Sequence, residues 1–183
     1  MEDKKLILKL HLIGTLFIVI VGSMLHFLFA WSRNFYPVGA IAAVNESVWE
    51  HLKLGFWSVI FFAPIEFIFL KDILQERNFI TARMIAAYTI PISIVVIFYS
   101  YTAIIGTHLL IFDILTFIIA VVIGQIASYK LMGLKQLPKY SQFIALILLV
   151  LLAIIFVVFT FFPPSLPIFQ DSLTGSYGIT KQH

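Results

Sequence analysis

Residues 143–162 read FIALILLVLLAIIFVVFTFF, a run of twenty residues without a charged side chain. A helix of about 20 apolar residues crosses the roughly 30 Å hydrocarbon core of a bilayer, so this run predicts a transmembrane helix. The rest of the chain is similar, because 61% of its 183 residues are hydrophobic and only 11% are charged. Soluble proteins carry roughly 25% charged residues. The composition therefore predicts an integral membrane protein and excludes an ordinary soluble domain.

Four more apolar runs precede this one, and each is bounded by polar or charged residues. The predicted spans cover about residues 10–31, 48–70, 84–105, 108–129 and 143–162, and a tail follows over 163–183. The length leaves no room for a second domain. The sequence thus predicts a single all-α membrane domain over residues 1–183, built as a bundle of five transmembrane helices.

The basic residues predict the orientation of the bundle. Nine of the twelve lie in the head, in the 71–83 connection and in the 130–139 loop, which share one face of a five-span protein. Cytoplasmic loops are enriched in lysine and arginine, so we expect a cytoplasmic N-terminus and an external C-terminus. The basic residues form short clusters beside apolar runs, which predicts contact with the lipid bilayer of a cell membrane and no nucleic-acid partner.

Small residues at helical spacing predict which faces pack together. Gly14, Ile18, Gly22 and His26 fall four apart in the first span and form one stripe. Glycine lets a neighbouring helix approach closely, so this stripe directs His26 into the bundle. In the fourth span a similar stripe of small residues shares its face with Asp113, which we expect to face protein and to need a partner there.

Residues 45–53 read NESVWEHLK and carry four ionisable groups at the start of the second span. We expect Asn45 to cap this helix and Lys53 to pair with Glu50 three residues earlier. Glu46 and Glu50 lie one turn apart, so they either stabilise the helix start or share a cation or a proton.

The predicted topology brings ionisable side chains from three helices toward the external face. The candidate catalytic residues are Glu46, Glu50, His51, His108 and Asp113, and the candidate metal ligands are His26, Glu50, His51, His108 and Asp113. The chain has no cysteine, so a bound metal would need histidine and carboxylate ligands, which suits a divalent ion such as zinc.

Three further expectations concern isolated side chains. Asp113 could instead be satisfied by a tyrosine or serine of the third span, and Glu66 could extend toward the cytoplasmic interface or Lys71. The three tryptophans, Trp31, Trp49 and Trp57, are expected to be anchors near the external boundary.

The NESVWEHLK run resembles the signature of a family of small polytopic prokaryotic membrane proteins of unknown function. The tail is similar to the closing segment of that family at Pro164, Pro167, Phe169, Asp171, Thr174, Gly175, Tyr177 and Gly178. It departs from the family at Ser172, where a proline is expected. The resemblance implies a bacterial or archaeal cell-membrane protein, and it implies no activity, substrate or catalytic residue.

Three classes of function fit these observations. In the first, the protein has a structural, sensory or assembly role, and the polar layer either locks the bundle or docks a membrane-protein partner. In the second, the protein is a membrane-embedded, metal-dependent enzyme that acts on a lipid or lipoprotein at the outer leaflet, with the tail as a partial lid. A transporter ranks below both, because Glu66 is the one polar residue expected in the inner half of the spans.

Overall fold

The computed structural model of the protein describes residues 2–73 and 78–179. Part of the predicted 71–83 connection (74–77) and the end of the predicted tail (180–183) lie outside the described residues. The described chain forms five α-helices, α1 (Glu2–Trp31), α2 (Val48–Leu70), α3 (Phe79–Ile105), α4 (Leu110–Met132) and α5 (Lys139–Phe161). Short 3-10 helices lie at Tyr36–Ala40 and Pro167–Phe169.

All five helices of the described chain are long and apolar enough to cross a membrane, with 23 to 30 residues each. At 1.5 Å per residue, even the shortest is about 35 Å long, which exceeds the hydrocarbon core of a bilayer. Large apolar side chains are exposed along their outer faces, as at Leu12, Leu16 and Ile68. In a soluble protein such surfaces would aggregate, so they indicate a multi-pass membrane protein.

The core is formed where α2 and α3 meet α1 and α4. α3 packs against α2, α4 and α5, and α1 packs against α2 and α4. Ile90 of α3 is fully buried at the centre, with Gly55 of α2 and Gly124 of α4 against its side chain. Gly22 of α1 faces Phe117 of α4 in the same way. The glycines therefore set how closely these helices approach, as the small-residue stripes predict.

The cap of α2 differs from the predicted one for a local reason. Ser47, and not Asn45, caps α2, because its hydroxyl accepts a hydrogen bond from the Glu50 N–H. Asn45 lies two residues earlier, where its side chain accepts from the Ser47 N–H in a turn before the helix. The expectation that Asn45 caps α2 is therefore wrong.

α3 begins at Phe79, five residues before the predicted span, and so includes Arg83. The preceding residue, Asn78, is fully buried and ties this start to the α4–α5 connection. Its side chain donates to the carbonyls of Leu131 and Lys135 and accepts from the Leu137 N–H. Arg83 does not end the span, because its charge is neutralised inside the bundle.

The tail packs back onto the bundle through its apolar residues. Phe169 is buried and its ring contacts Trp49 at 4.7 Å and Phe159 at 5.5 Å between ring centroids. The Asn45 side chain donates to the Gly178 carbonyl, and the Ser172 hydroxyl donates to the Glu46 carbonyl. The tail therefore holds the segment that leads into α2. We call this side of the molecule the Glu46 end, and the side with residues 71–73 and 133–138 the Lys71 end.

We expect Gly55→Ala to destabilise the bundle. A Cβ at this position would lie 2.5 Å from Ile90 Cγ2, and a β-branched side chain in a helix has little rotamer freedom to move away. Overpacking of this kind costs about 1–3 kcal/mol. Thermal unfolding in detergent measures the loss. Gly133→Ala is the matched control, since a Cβ there meets nothing closer than 3.4 Å. Equal stability of the two variants would contradict this packing.

Candidate functional site

Three ionisable side chains converge at the Glu46 end: His26 of α1, Glu46 of the α1–α2 loop and His51 of α2. The Nε2 atoms of His26 and His51 lie 3.1 Å apart. Glu46 Oε2 lies 3.4 Å from Nε2 of His26 and 3.5 Å from Nε2 of His51. Among the residues that the structure describes, this is the one group of three histidine or acidic side chains whose ligand atoms gather within 4.8 Å.

Each member of this cluster is positioned by its own element. His26 follows Gly14, Ile18 and Gly22 along the buried stripe of α1, which turns it toward α2. Glu46 sits in the turn held by Asn45 and the tail. His51 lies in the first turn of α2, where its Nδ1 is 2.7 Å from the Ser47 carbonyl oxygen. The cluster therefore depends on both the α1–α2 contact and the docked tail.

The hydrogen bonds define the protonation of the cluster. A carbonyl oxygen can only accept, so His51 carries its proton on Nδ1, and in its neutral form its Nε2 presents a lone pair toward His26 and Glu46. When their Nε2 atoms are protonated, which for His51 means the imidazolium form, hydrogen bonds from His26 and His51 hold the pKa of Glu46 well below its usual value, so this carboxylate is ionised. His26 Nδ1 is buried and has no hydrogen-bond partner among the described residues.

The spacing of these donor atoms suits a small metal ion. Zinc binds histidine nitrogen at about 2.0–2.1 Å and carboxylate oxygen at about 2.0–2.2 Å, and its ligand atoms are arranged as a tetrahedron. Two ligand atoms of such a tetrahedron are about 3.4 Å apart. The three distances of 3.1, 3.4 and 3.5 Å are close to this edge. Metal binding would require both Nε2 atoms in their deprotonated form, and three such ligands would leave further coordination positions open.

Glu50 lies apart from this cluster, although it is only one turn from Glu46. Its Oε2 is 2.6 Å from Lys53 Nζ, which confirms the expected pair, and it also accepts from the Val44 N–H. Lys53 donates to the Gly39 carbonyl and to Thr160 Oγ1 of α5. Glu50 and Lys53 are both buried. Through the bonds of Lys53, the pair connects α2 to α5 and to the 3-10 helix at Tyr36–Ala40.

His108 and Asp113 form a separate pair at the start of α4. His108 Nδ1 lies 3.2 Å from Asp113 Oδ2, and the Tyr101 hydroxyl of α3 donates to Asp113 Oδ1. The tyrosine partner is the one that the alternative for Asp113 anticipates. Of the predicted site residues, the structure thus brings together His26, Glu46 and His51, and it places Glu50 and the His108–Asp113 pair with other partners.

A second polar cluster lies near the Lys71 end, and sequence reasoning missed it. Glu66 Oε2 is 2.8 Å from Arg83 Nη1, and both side chains are buried. Arg83 Nη2 lies 2.8 Å from Nε2 of His11 and donates to the Ser128 hydroxyl. Glu66 therefore does not extend to the interface or to Lys71. This cluster connects α1, α2, α3 and α4 inside the bundle.

Two signals in the sequence could have revealed this cluster. His11 lies on the stripe of Gly14 and Ile18, and Arg83 lies among Thr81, Ala82, Ala86 and Ala87, which mark a buried helix face. A carboxylate within a span also requires a partner. The half of the bundle nearer the Lys71 end is therefore more polar than the sequence suggests, but these groups bond to one another.

Two of the three tryptophans expected as anchors also pack against aromatic rings. Trp49 contacts the rings of Phe156, Phe159 and Phe169, and Trp57 lies between Phe56 and Phe61. Trp31 is exposed, as an interfacial anchor should be. The aromatic contacts of Trp49 join α2, α5 and the tail, and so support the segment that carries Glu46.

The fold and the site define an all-helical protein with five potential membrane spans and a histidine–carboxylate cluster at one end of the bundle. Residues 1–179 match the family described as a family of unknown function (DUF6512), and the chain belongs to that family. This confirms the expected membership of a family of unknown function. Neither the curated proteins nor the solved structures contain a match to this chain.

We expect Glu66→Ala to unfold the Lys71 end preferentially, because Arg83 would stay buried without its carboxylate. Removing one partner of a buried ion pair costs about 3–5 kcal/mol. Unfolding titrations in mixed detergent micelles measure this loss. Asp72→Ala, which removes an exposed carboxylate six residues further on, should change stability by less than about 0.5 kcal/mol.

The double variant Glu66→Leu with Arg83→Met removes both charges and keeps the volume of the cluster apolar. It should be more stable than either single variant, since no unpaired charge remains. A double variant that loses as much as the two single variants combined would show that the ion pair is not what couples these helices.

Proposed function

We propose that this protein is a multi-pass protein of a bacterial or archaeal cell membrane that binds a divalent transition-metal ion, zinc first among them. The ligands are Nε2 of His26, Nε2 of His51 and a carboxylate oxygen of Glu46. The observation that carries the proposal is the distances between these donor atoms, 3.1 to 3.5 Å, which match the edge of a zinc coordination tetrahedron.

The charge of the cluster supports a cation. Glu50 and Glu66 each have a lysine or arginine within 2.8 Å, whereas the groups closest to Glu46 are two imidazoles. Neutral imidazole and carboxylate are the ligands that zinc, iron and manganese accept. A metal ion would compensate the Glu46 charge and use the lone pair that His51 presents on Nε2.

The membrane and its orientation are part of this proposal. Arg83 is buried in the core, so it is no longer a loop charge. Of the other eleven basic residues, eight lie in the segments of the Lys71 end or beside them. The positive-inside rule then supports a cytoplasmic Lys71 end and an external Glu46 end, so the metal would bind at the outer surface.

A second candidate function is a metal-dependent enzyme that acts on a lipid or lipoprotein at the outer leaflet. The observation that favours it is the number of protein ligands. Catalytic zinc sites keep three protein ligands and an open position for water, whereas structural sites use four. The partial exposure of the three side chains, 25% to 39%, would give a substrate access to that position. A structural role would fit a fourth ligand from a partner protein.

Zinc titration of the chelator-stripped, full-length protein tests the site. We expect one zinc per chain, and a loss of affinity of more than about 100-fold in His51→Ala and in Glu46→Gln, beyond the 10–100-fold that outer-shell changes cost. His108→Ala is the matched control, because His108 is also a partly exposed histidine at the Glu46 end that has a carboxylate partner. Its affinity should not change.

Zinc should also raise the melting temperature of the wild-type protein and of His108→Ala, because a ligand of the native state stabilises it by mass action. It should leave His51→Ala unchanged. Substoichiometric zinc in the wild type, or an equal loss of affinity in His108→Ala, would contradict the proposed ligands.

A further inference from the structure

A second candidate binding site lies at the Lys71 end, far from the histidine cluster. A cavity of about 190 Å³ opens where the first turns of α1 meet the last turn of α4. It is lined by Lys4 and Ile7 of α1, by Tyr129 and Lys130 of α4, and by Gly133 just beyond α4. Two ammonium groups from different helices thus border one cavity.

The local charges favour an anion in this cavity. Lys4 and Lys130 are both exposed. The acidic Glu2 and Asp3 belong to the first turn of α1, but among the described residues they do not line the cavity. A group that carries one negative charge could therefore interact with both ammonium groups at once.

The base of the cavity is formed by packed side chains. Ile7 is 2% exposed and belongs to an apolar cluster with Leu10, Leu70 and Met132, against which Tyr129 packs. The Tyr129 ring meets the His11 ring edge-on at 5.5 Å between centroids. Because His11 is held by the Arg83 cluster, the wall of the cavity that Tyr129 forms is held in place by the core.

Exposed apolar rows lead away from both lysines toward the middle of the bundle. On α1, Leu8 and Leu12 follow Lys4 at four-residue spacing and are 43% and 64% exposed. On α4, Ile126 and Val122 precede Lys130 at the same spacing and are 49% and 38% exposed. Residues four apart share a helix face, so the charged cavity continues into an apolar surface.

We propose that this cavity binds the phosphate headgroup of an anionic phospholipid, with Lys4 and Lys130 on the phosphate and the acyl chains along the two apolar rows. A free phosphate would use the lysines but not the apolar rows, so the continuity of the two surfaces favours a lipid. Basic pockets between spans on the cytoplasmic side are typical sites for acidic headgroups. The inference rests on the proposed membrane setting and orientation, and it is independent of the metal.

Native mass spectrometry of the full-length protein in detergent tests this site, with phosphatidylglycerol and phosphatidylcholine added separately. We expect one retained phosphatidylglycerol per chain and weaker retention of phosphatidylcholine. A lysine near a membrane surface contributes about fivefold to the binding of acidic lipid, so Lys4→Gln with Lys130→Gln should weaken phosphatidylglycerol about 30-fold.

The matched control is Lys135→Gln with Lys139→Gln, which removes the same charge from the same end of the bundle outside the cavity. It should retain phosphatidylglycerol, as should the charge-conserving variant Lys4→Arg with Lys130→Arg. Thermal unfolding of all three variants verifies that they are folded, and the single variant Lys130→Gln, with about a fivefold loss, provides a second reading.

Three results would overturn the proposal. They are equal retention of the two lipids, an equal loss in the control pair, and displacement of phosphatidylglycerol by millimolar inorganic phosphate, which would indicate a phosphate site instead. Zinc binding is measured separately. The absence of lipid binding would therefore not contradict the metal proposal, and the absence of zinc binding would not contradict the lipid proposal.

Discussion

The need to neutralise charge in a low-dielectric interior is the constraint on which this structure depends. Glu66 and Arg83 are almost completely buried, and each is placed so that the other compensates its charge. Glu50 and Lys53 do the same nearer the Glu46 end. The Glu66–Arg83 pair connects α2 to α3, and Lys53 connects α2 to Thr160 of α5 and to Gly39. These contacts therefore also set which helices are neighbours. The apolar core around Ile90 then fills the space between them.

The histidine cluster differs from these pairs in its charge balance. Glu46 is met by two imidazoles rather than by a lysine or an arginine, and His26 has a buried ring nitrogen without a partner among the described residues. The tail and the Asn45 turn nevertheless hold Glu46 in place. A site that is positioned by four segments of chain and has donor atoms at ligand spacing is well suited to a cation. The same reasoning separates it from the His108–Asp113 pair, in which Asp113 also accepts a hydrogen bond from Tyr101.

Much of the fold could be predicted from local pattern. Apolar run length indicates the five helices, the stripe of Gly14 and Gly22 indicates the close face of α1, and the spacing of Glu50 and Lys53 indicates their pair. Side chains that meet across helices could not be predicted, because sequence does not reveal which helices are neighbours. The sequence alone places Arg83 in a loop, because its partner Glu66 lies on another helix. Glu46 rather than Glu50 contacts the histidines, because Glu50 is paired with Lys53.

X-ray absorption at the zinc edge, on full-length protein loaded with one equivalent of zinc, tests the central claim most directly. The account predicts two imidazole nitrogens at about 2.0–2.1 Å and oxygen ligands at about 2.0–2.2 Å in a four-coordinate shell. A shell of oxygen alone, without imidazole scattering, would mean that His26 and His51 do not hold the metal, and would contradict the account.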